Sequence, residues 1–253
     1  MSDIYIVISL ITAGSILGSF SNMLIYRLPR DEDIVFKRSH CPDCAHILGF
    51  WQLIPILSYV YQMGKCVYCK KRISLRYLLV EVGTIGIFLI TWVMFGLTPY
   101  AFQMGVMLWA LHILAWTDIE TGLLPNTLTY PLLGLNVIMA LYFQRLPDAV
   151  YGAVVGYLIF WIIGVIGKWV YKKEAMGGGD MKLSAAIGAA FGVKLILLST
   201  YISFMIGGGM ALGFIVCKRK NIADTLPLGP AIILAAVISL FWGQKIFGWY
   251  FGP

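Results

Sequence analysis

Seven stretches of this chain are apolar almost without interruption: residues 4–26, 77–96, 100–117, 127–144, 149–171, 195–217 and 228–250, with at most one charged side chain in each. A helix needs roughly 20 such residues to cross the hydrocarbon core of a bilayer, and irregular backbone cannot face lipid there. The pattern therefore predicts an all-α, polytopic bundle of membrane-spanning helices. A shorter stretch at 181–192, rich in Ala and Gly, raises the expectation to about eight spans. Its core, "SAAIGAAFG", reads either as a half-span or as a re-entrant piece. Composition agrees, with 60% hydrophobic and 12% charged residues, about half the charge usual in a soluble protein. The first stretch is too long for a signal-peptide core and has no basic residue before it, so it is expected to be the first true span.

Charge sets the expected orientation. With eight spans and an outside N-terminus, residues 27–76, 118–126, 172–180 and 218–227 lie inside, and only Arg145, Lys194 and Lys245 fall outside. That asymmetry is the positive-inside pattern. The net charge of +7 then reads as topology. Because the basic residues are dispersed among loops that topology already explains, no nucleic-acid partner is expected; the partner implied by composition is membrane lipid. The expected organisation is a first span at 1–26, a cytoplasmic loop at 27–76 and a transmembrane core at 77–253.

The first inside loop is the only sizeable polar segment. It holds "CPDC", Cys41 to Cys44, and "CVYC", Cys66 to Cys69. Two C-x-x-C knuckles point to a tetrahedral four-thiolate zinc site, each knuckle supplying two sulfurs from one turn. Four cysteines fill four positions, which makes the metal structural. A reducing cytoplasm disfavours the alternative of two disulfides. His40 and His46 flank the first knuckle and read as bystanders, with a role as ligands the alternative, and Cys217, alone at the end of a span, reads as a small buried apolar residue.

Acids at a membrane edge are candidates for function. "WTDIETGLLPN" carries Asp118 and Glu120 where the third span meets the inside. "AMGGGDMKL" carries Asp180 behind Gly177, Gly178 and Gly179, with Lys182 following. Two spans separate these segments, so both return to one face and an Asp118–Asp180 pair is possible. Two adjacent carboxylates share one proton, which suits an acid–base pair cleaving an amide without metal or covalent intermediate. The glycines would let substrate backbone approach, with Gly179 expected at a dihedral that a β-branched residue resists. Lys182 would steady an ionised Asp180 or dock an anion. The plainer reading of the same run is a glycine turn with an acid at a helix start. Glu120 reads as a solvated loop residue, His112 as a relay or a packing residue, and Glu81 as an acid in need of a partner.

These motifs in this order resemble the bacterial type IV prepilin peptidases, also called leader peptidase/N-methyltransferases. "LGSFSNMLIYRLPR" is similar to the family's N-terminal segment. "CPDC" through "IPILSYVYQMGKCVYCKKRISLRYLLVE" is similar to its cysteine loop and second span. "TDIETGLLPN" and "GGGDMKLSAAIG" resemble its two aspartate motifs, and "LPLGPAI" its Gly-Pro motif. The resemblance implies an intramembrane aspartyl endopeptidase with Asp118 and Asp180 as catalytic acids and zinc on the four cysteines. It implies prepilin or pseudopilin substrates, cut after the basic leader at the cytoplasmic face of the bacterial plasma membrane. It also implies S-adenosylmethionine as donor for methylation of the new N-terminus, without indicating which residues bind it. Many members read Leu-Pro-Asp where this chain has Leu124-Pro125-Asn126, which favours Asp118 over position 126 as the acid. "GFWQLIPILS" lacks an Asn that many members carry before Ile-Pro, a departure on the side of the loop associated with methyl transfer. A transporter using its acids as a proton or cation pathway is the alternative, but no internal repeat of the kind such proteins show is visible.

Overall fold

The computed structural model describes residues 2–172, 176–216 and 228–251, whose regular elements are helices, with no strands among them. Cys217, Leu226 and Pro227 lie outside the described residues. The helices are α1 (Ser2–Arg27), α2 (Leu57–Tyr61), α3 (Leu75–Phe95), α4 (Pro99–Thr121), α5 (Asn126–Tyr142), α6 (Leu146–Tyr171), α7 (Gly178–Val216) and α8 (Gly229–Phe251). Six of them, all but α2 and α5, are long and apolar enough to cross a membrane. Large apolar side chains line their outer faces, among them Val93, Trp169, Leu212 and Trp249. The chain forms two compact units, one up to Ile113 and one from Leu114.

In the first unit α1 and α3 pack through glycine. A Cβ at Gly14 would come 2.9 Å from the Ile85 Cα, and one at Gly18 would come 2.8 Å from the Glu81 Cα. Small residues four apart allow two backbones this close, the usual way for apolar helices to associate where lipid removes the hydrophobic driving force. The same row continues to Asn22, whose Nδ2 donates to the Tyr77 carbonyl at 2.9 Å. Against α1, α4 sets Trp109, with its indole N–H donating to the Ser21 hydroxyl at 2.8 Å. His112 packs on α3, its Cε1 2.9 Å from where a Gly83 Cβ would stand.

In the second unit α7 is two arms, not one rod. Gly192 breaks it with φ 72° and ψ −179°, a backbone state essentially closed to other residues. The chain turns back there. Gly156 on α6 faces both arms, since a Cβ on it would meet the Ser184 carbonyl at 2.6 Å and the Ile196 Cγ1 at 3.2 Å. Phe160, one turn along, stacks on Phe204 of the second arm. The α6 row Asp148, Gly152, Gly156 thus lies along the hairpin, with Gly152 against Gly188 and Gly192. Two side chains cap the break. Arg145 Nη1 donates to the Ala190 carbonyl at 2.8 Å, and Asp148 Oδ1 accepts the Val193 amide at 3.4 Å. Asn136 on α5 donates to the Ala186 carbonyl at 3.0 Å. The 181–192 stretch is therefore the first arm of a helical hairpin. Its 14 residues, 178–191, extend about 21 Å at 1.5 Å each, short of a full bilayer core.

Candidate active site

The second unit brings the two aspartate motifs together. α4 ends at Thr121 because Gly122 turns left-handed, φ 67°, and its amide returns to the Asp118 carbonyl at 2.8 Å. That termination is the usual use of glycine after a helix. It leaves Asp118 in the last turn, a residue only 5% exposed. Leu123, Leu124 and Pro125 then lead into α5, with Pro125 as N-cap. Asp180 stands in the first turn of α7, 9% exposed, and its amide donates to the Gly177 carbonyl at 3.1 Å. Both carboxylates sit where these two segments meet. Around them the segments interlock, Leu124 packing on Gly179 and Lys182 reaching Asn126.

Asp118 Oδ2 is buried with no hydrogen-bond partner among the described residues. A buried acceptor without a partner is costly, and where one persists it calls for an explanation in function, water or substrate. Gly229 lies against it. A Cβ there would stand 2.5 Å from that oxygen, so α8 can begin at this point only with glycine. The sequence shows the Gly-Pro pair, yet the pair reads there only as a helix start; its contact with Asp118 is not legible without the fold.

The glycine run differs in detail from the expectation. Gly177, Gly178 and Gly179 all lack positive φ, and Gly178 and Gly179 belong to the first turn of α7. Gly179 is small for a different reason: a Cβ on it would sit 2.8 Å from the Leu124 Cβ, the rigid root of that side chain. Gly178 faces open space, whereas a Gly177 Cβ would meet Asp180 Oδ2 at 3.3 Å. Lys182 does not engage Asp180. Its Nζ donates to Asn126 Oδ1 at 2.9 Å and lies 5.3 Å from the Tyr130 ring centroid. Glu120 is exposed as expected, but it stands in the last turn of α4 and not in a loop.

The cysteine loop of the first unit is a second, separate site. Cys41, Cys44, Cys66 and Cys69 offer sulfurs that all lie within 4.8 Å of one another. The Cys41 and Cys69 sulfurs are 3.9 Å apart, and a tetrahedral zinc at about 2.3 Å from each sulfur sets them about 3.8 Å apart. The two knuckles share one backbone design. Cys41 donates its amide to His46 and accepts from Ala45, while Cys66 donates to Lys71 and accepts from Lys70. Ala45 and Lys70, each just after the second cysteine, are both left-handed. Lys71 joins the knuckles by an ion pair with Asp43 at 2.8 Å. The donor chemistry suits a soft divalent cation. Amides of Cys69 and Tyr68 draw the Cys66 thiol down to about 7. The His46 amide favours a Cys44 thiolate too, but desolvation and the Cys41 and Cys69 sulfurs outweigh it and push that thiol up to about 11. A bound cation relieves such crowding. His46 stacks on Tyr68, and His40 Nδ1 lies 3.3 Å from the Arg38 carbonyl, so neither joins the sulfur cluster.

Residues 12–95 match the bacterial peptidase A24 N-terminal domain, and residues 105–212 match the type IV leader peptidase family. The chain is 32% identical to the prepilin leader peptidase/N-methyltransferase of Pseudomonas putida, over 98% of its own length and 94% of the relative's. This protein belongs to the type IV leader peptidase family. Relatives of the same description from Pseudomonas aeruginosa and Aeromonas hydrophila are each 34% identical, covering 95% and 92% of this chain and 91% and 90% of theirs. No solved structure matches it. The A24 N-terminal match contains all four cysteines, and the leader peptidase match contains both aspartates.

Proposed function

We propose that this leader peptidase cuts the basic leader from type IV prepilins or pilin-like proteins with Asp118 and Asp180 as the reacting pair, at the cytoplasmic edge of the membrane. The observation that carries the assignment is the burial of both carboxylates where their two segments interlock, with one Asp118 oxygen unpartnered among the described residues. The pair holds one proton between its members. The ionised member takes a proton from a water whose oxygen attacks the scissile carbonyl carbon. The protonated member gives its proton to the carbonyl oxygen. Collapse of the tetrahedral species breaks the C–N bond, the proton taken from water goes to the leaving amine, and the former carbonyl oxygen returns its proton to the acid that gave it. Atoms and charge then balance with no covalent enzyme intermediate. Gly177 and Gly178 leave the approach to Asp180 free of side chains. Lys182, engaged with Asn126, ties the start of α7 to α5.

Zinc on the four cysteines staples the loop. The relatives' description extends to N-methylation, with S-adenosylmethionine supplying the methyl group to the new N-terminal amine. The test uses purified protein in detergent and a full-length prepilin followed by mass spectrometry. Wild type releases the leader. Asp118→Asn and Asp180→Asn each lower cleavage by at least about a hundredfold, the lower range for losing a general acid–base group, while still inserting in the membrane. Near-normal cleavage by either variant removes that acid from the reaction.

A further inference from the structure

The first unit contains a cavity of about 360 Å³ that the cleavage reaction does not use, walled by the end of α1, the cysteine loop and the start of α3. That volume lies in the range of small-molecule sites. Its wall has two poles. At one stands Glu81, a buried acid on α3 whose Oε2 accepts the Ile56 amide at 2.7 Å. Beside it is Asn22, 4% exposed, with its Nδ2 given to Tyr77 and its Oδ1 buried without a partner. Arg27 forms the other pole, five residues or about 7.5 Å along α1. It is 4% exposed, its Nη1 donates to the Asp33 carbonyl at 2.9 Å, and no carboxylate pairs with it among the described residues. Tyr26, Tyr59, Tyr77 and Met23 also line the cavity.

We infer that this cavity binds the methyl donor, S-adenosylmethionine, an inference that rests on the methylation half of the proposed function. The ligand is a zwitterion with a sulfonium, an amino-acid end and an aromatic base. A buried acid suits its positive charges, a buried guanidinium suits its carboxylate, and tyrosine rings suit both the base and the sulfonium. The open Asn22 Oδ1 accepts an N–H or O–H from the ligand. Other occupants fit less well. An apolar pilin helix leaves that oxygen and both charges unsatisfied, and a phosphate meets Glu81 as a like charge.

The test is direct binding of tritiated S-adenosylmethionine and of S-adenosylhomocysteine to the full-length protein in nanodiscs, with no prepilin present. Wild type binds. Glu81→Gln keeps an acceptor for the Ile56 amide and removes only the charge, and Asn22→Leu removes the open acceptor. Each weakens S-adenosylmethionine binding tenfold or more, with metal content and thermal unfolding kept as controls of folding. A photoactivatable adenosyl analogue on the wild-type protein, which no folding defect can affect, labels peptides within residues 19–81. Wild-type affinity in both folded variants, or labelling confined to residues 105–216, overturns the cavity assignment while leaving methylation standing. Absence of any binding by wild type overturns the assignment and the methylation reading together, and leader cleavage, assayed separately, is untouched by either result.

Discussion

Gly229 illustrates how a residue without a side chain can define an acid. Its Cα faces the unpartnered oxygen of Asp118, and a methyl group there would stand 2.5 Å from that oxygen. Neither group can yield cheaply, because Asp118 is fixed in the last turn of α4 and Gly229 opens α8. Gly229→Ala should therefore displace the carboxylate and lower kcat by on the order of a hundredfold, the scale on which an ångström of misplacement acts. KM for prepilin should change much less, and a wild-type kcat would mean the carboxylate is free to move. Gly179 makes a related case with a different neighbour. Gly179→Ala should impair cleavage through contact with Leu124, and Leu124→Gly should restore part of the loss. If the double variant is no better than the single one, the contact is not the cause. The two aspartates themselves were legible in sequence from span parity and from the rarity of acids beside apolar runs. What was not legible is why the glycines are glycines. Residue type alone suggested unusual dihedrals at Gly179, whereas the fold gives it helical backbone and a tight neighbour from another segment.

At the scale of elements, the informative piece is the α7 hairpin. The stretch breaks near residue 192 are visible in sequence, since apolar runs end and resume there. The sense of the break is not, because a glycine inside a greasy run reads equally as a kink or a reversal. The fold decides it through partners remote in sequence, with Arg145 just before α6 and Asp148 in its first turn capping the two arms. Gly192→Ala meets two obstacles at once, a backbone state reserved for glycine and the Asp148 carboxylate where the new Cβ would go. Strain of that kind costs about 1–3 kcal/mol. The variant should unfold at lower temperature in detergent, as followed by circular dichroism, and an unchanged transition would show that the hairpin tolerates another geometry. The cysteine loop was legible in outline for the opposite reason: its spacing encodes a local motif. The repetition of one backbone design in both knuckles, including left-handed Ala45 and Lys70, is a structural finding, since neither residue advertises positive φ.

For the whole molecule, the positive-inside pattern and the hairpin make one joint prediction about topology. The basic cysteine loop and the two aspartate segments are proposed inside, so the residues linking α5 to α6 and the turn of α7 must lie outside. Two of the three exceptions to the charge rule sit at these places. Arg145 is committed to a carbonyl at the hairpin, and Lys194 is exposed just beyond the turn. One outside charge thus has a structural task, and the other is free to meet solvent. Counting α7 as a single crossing would instead put Lys194 within the membrane or reverse every later segment. Truncated fusions to alkaline phosphatase, which is active only outside, separate the alternatives. Fusions after Gln144 and after Lys194 should be active, and fusions after Arg38, Glu120 and Lys172 should not. Activity after Lys172 would invert the proposed membrane face of the whole site. Inactivity after Lys194 alone would leave that face intact and show that the first arm, about 21 Å long by its residue count, enters the bilayer without reaching the far side.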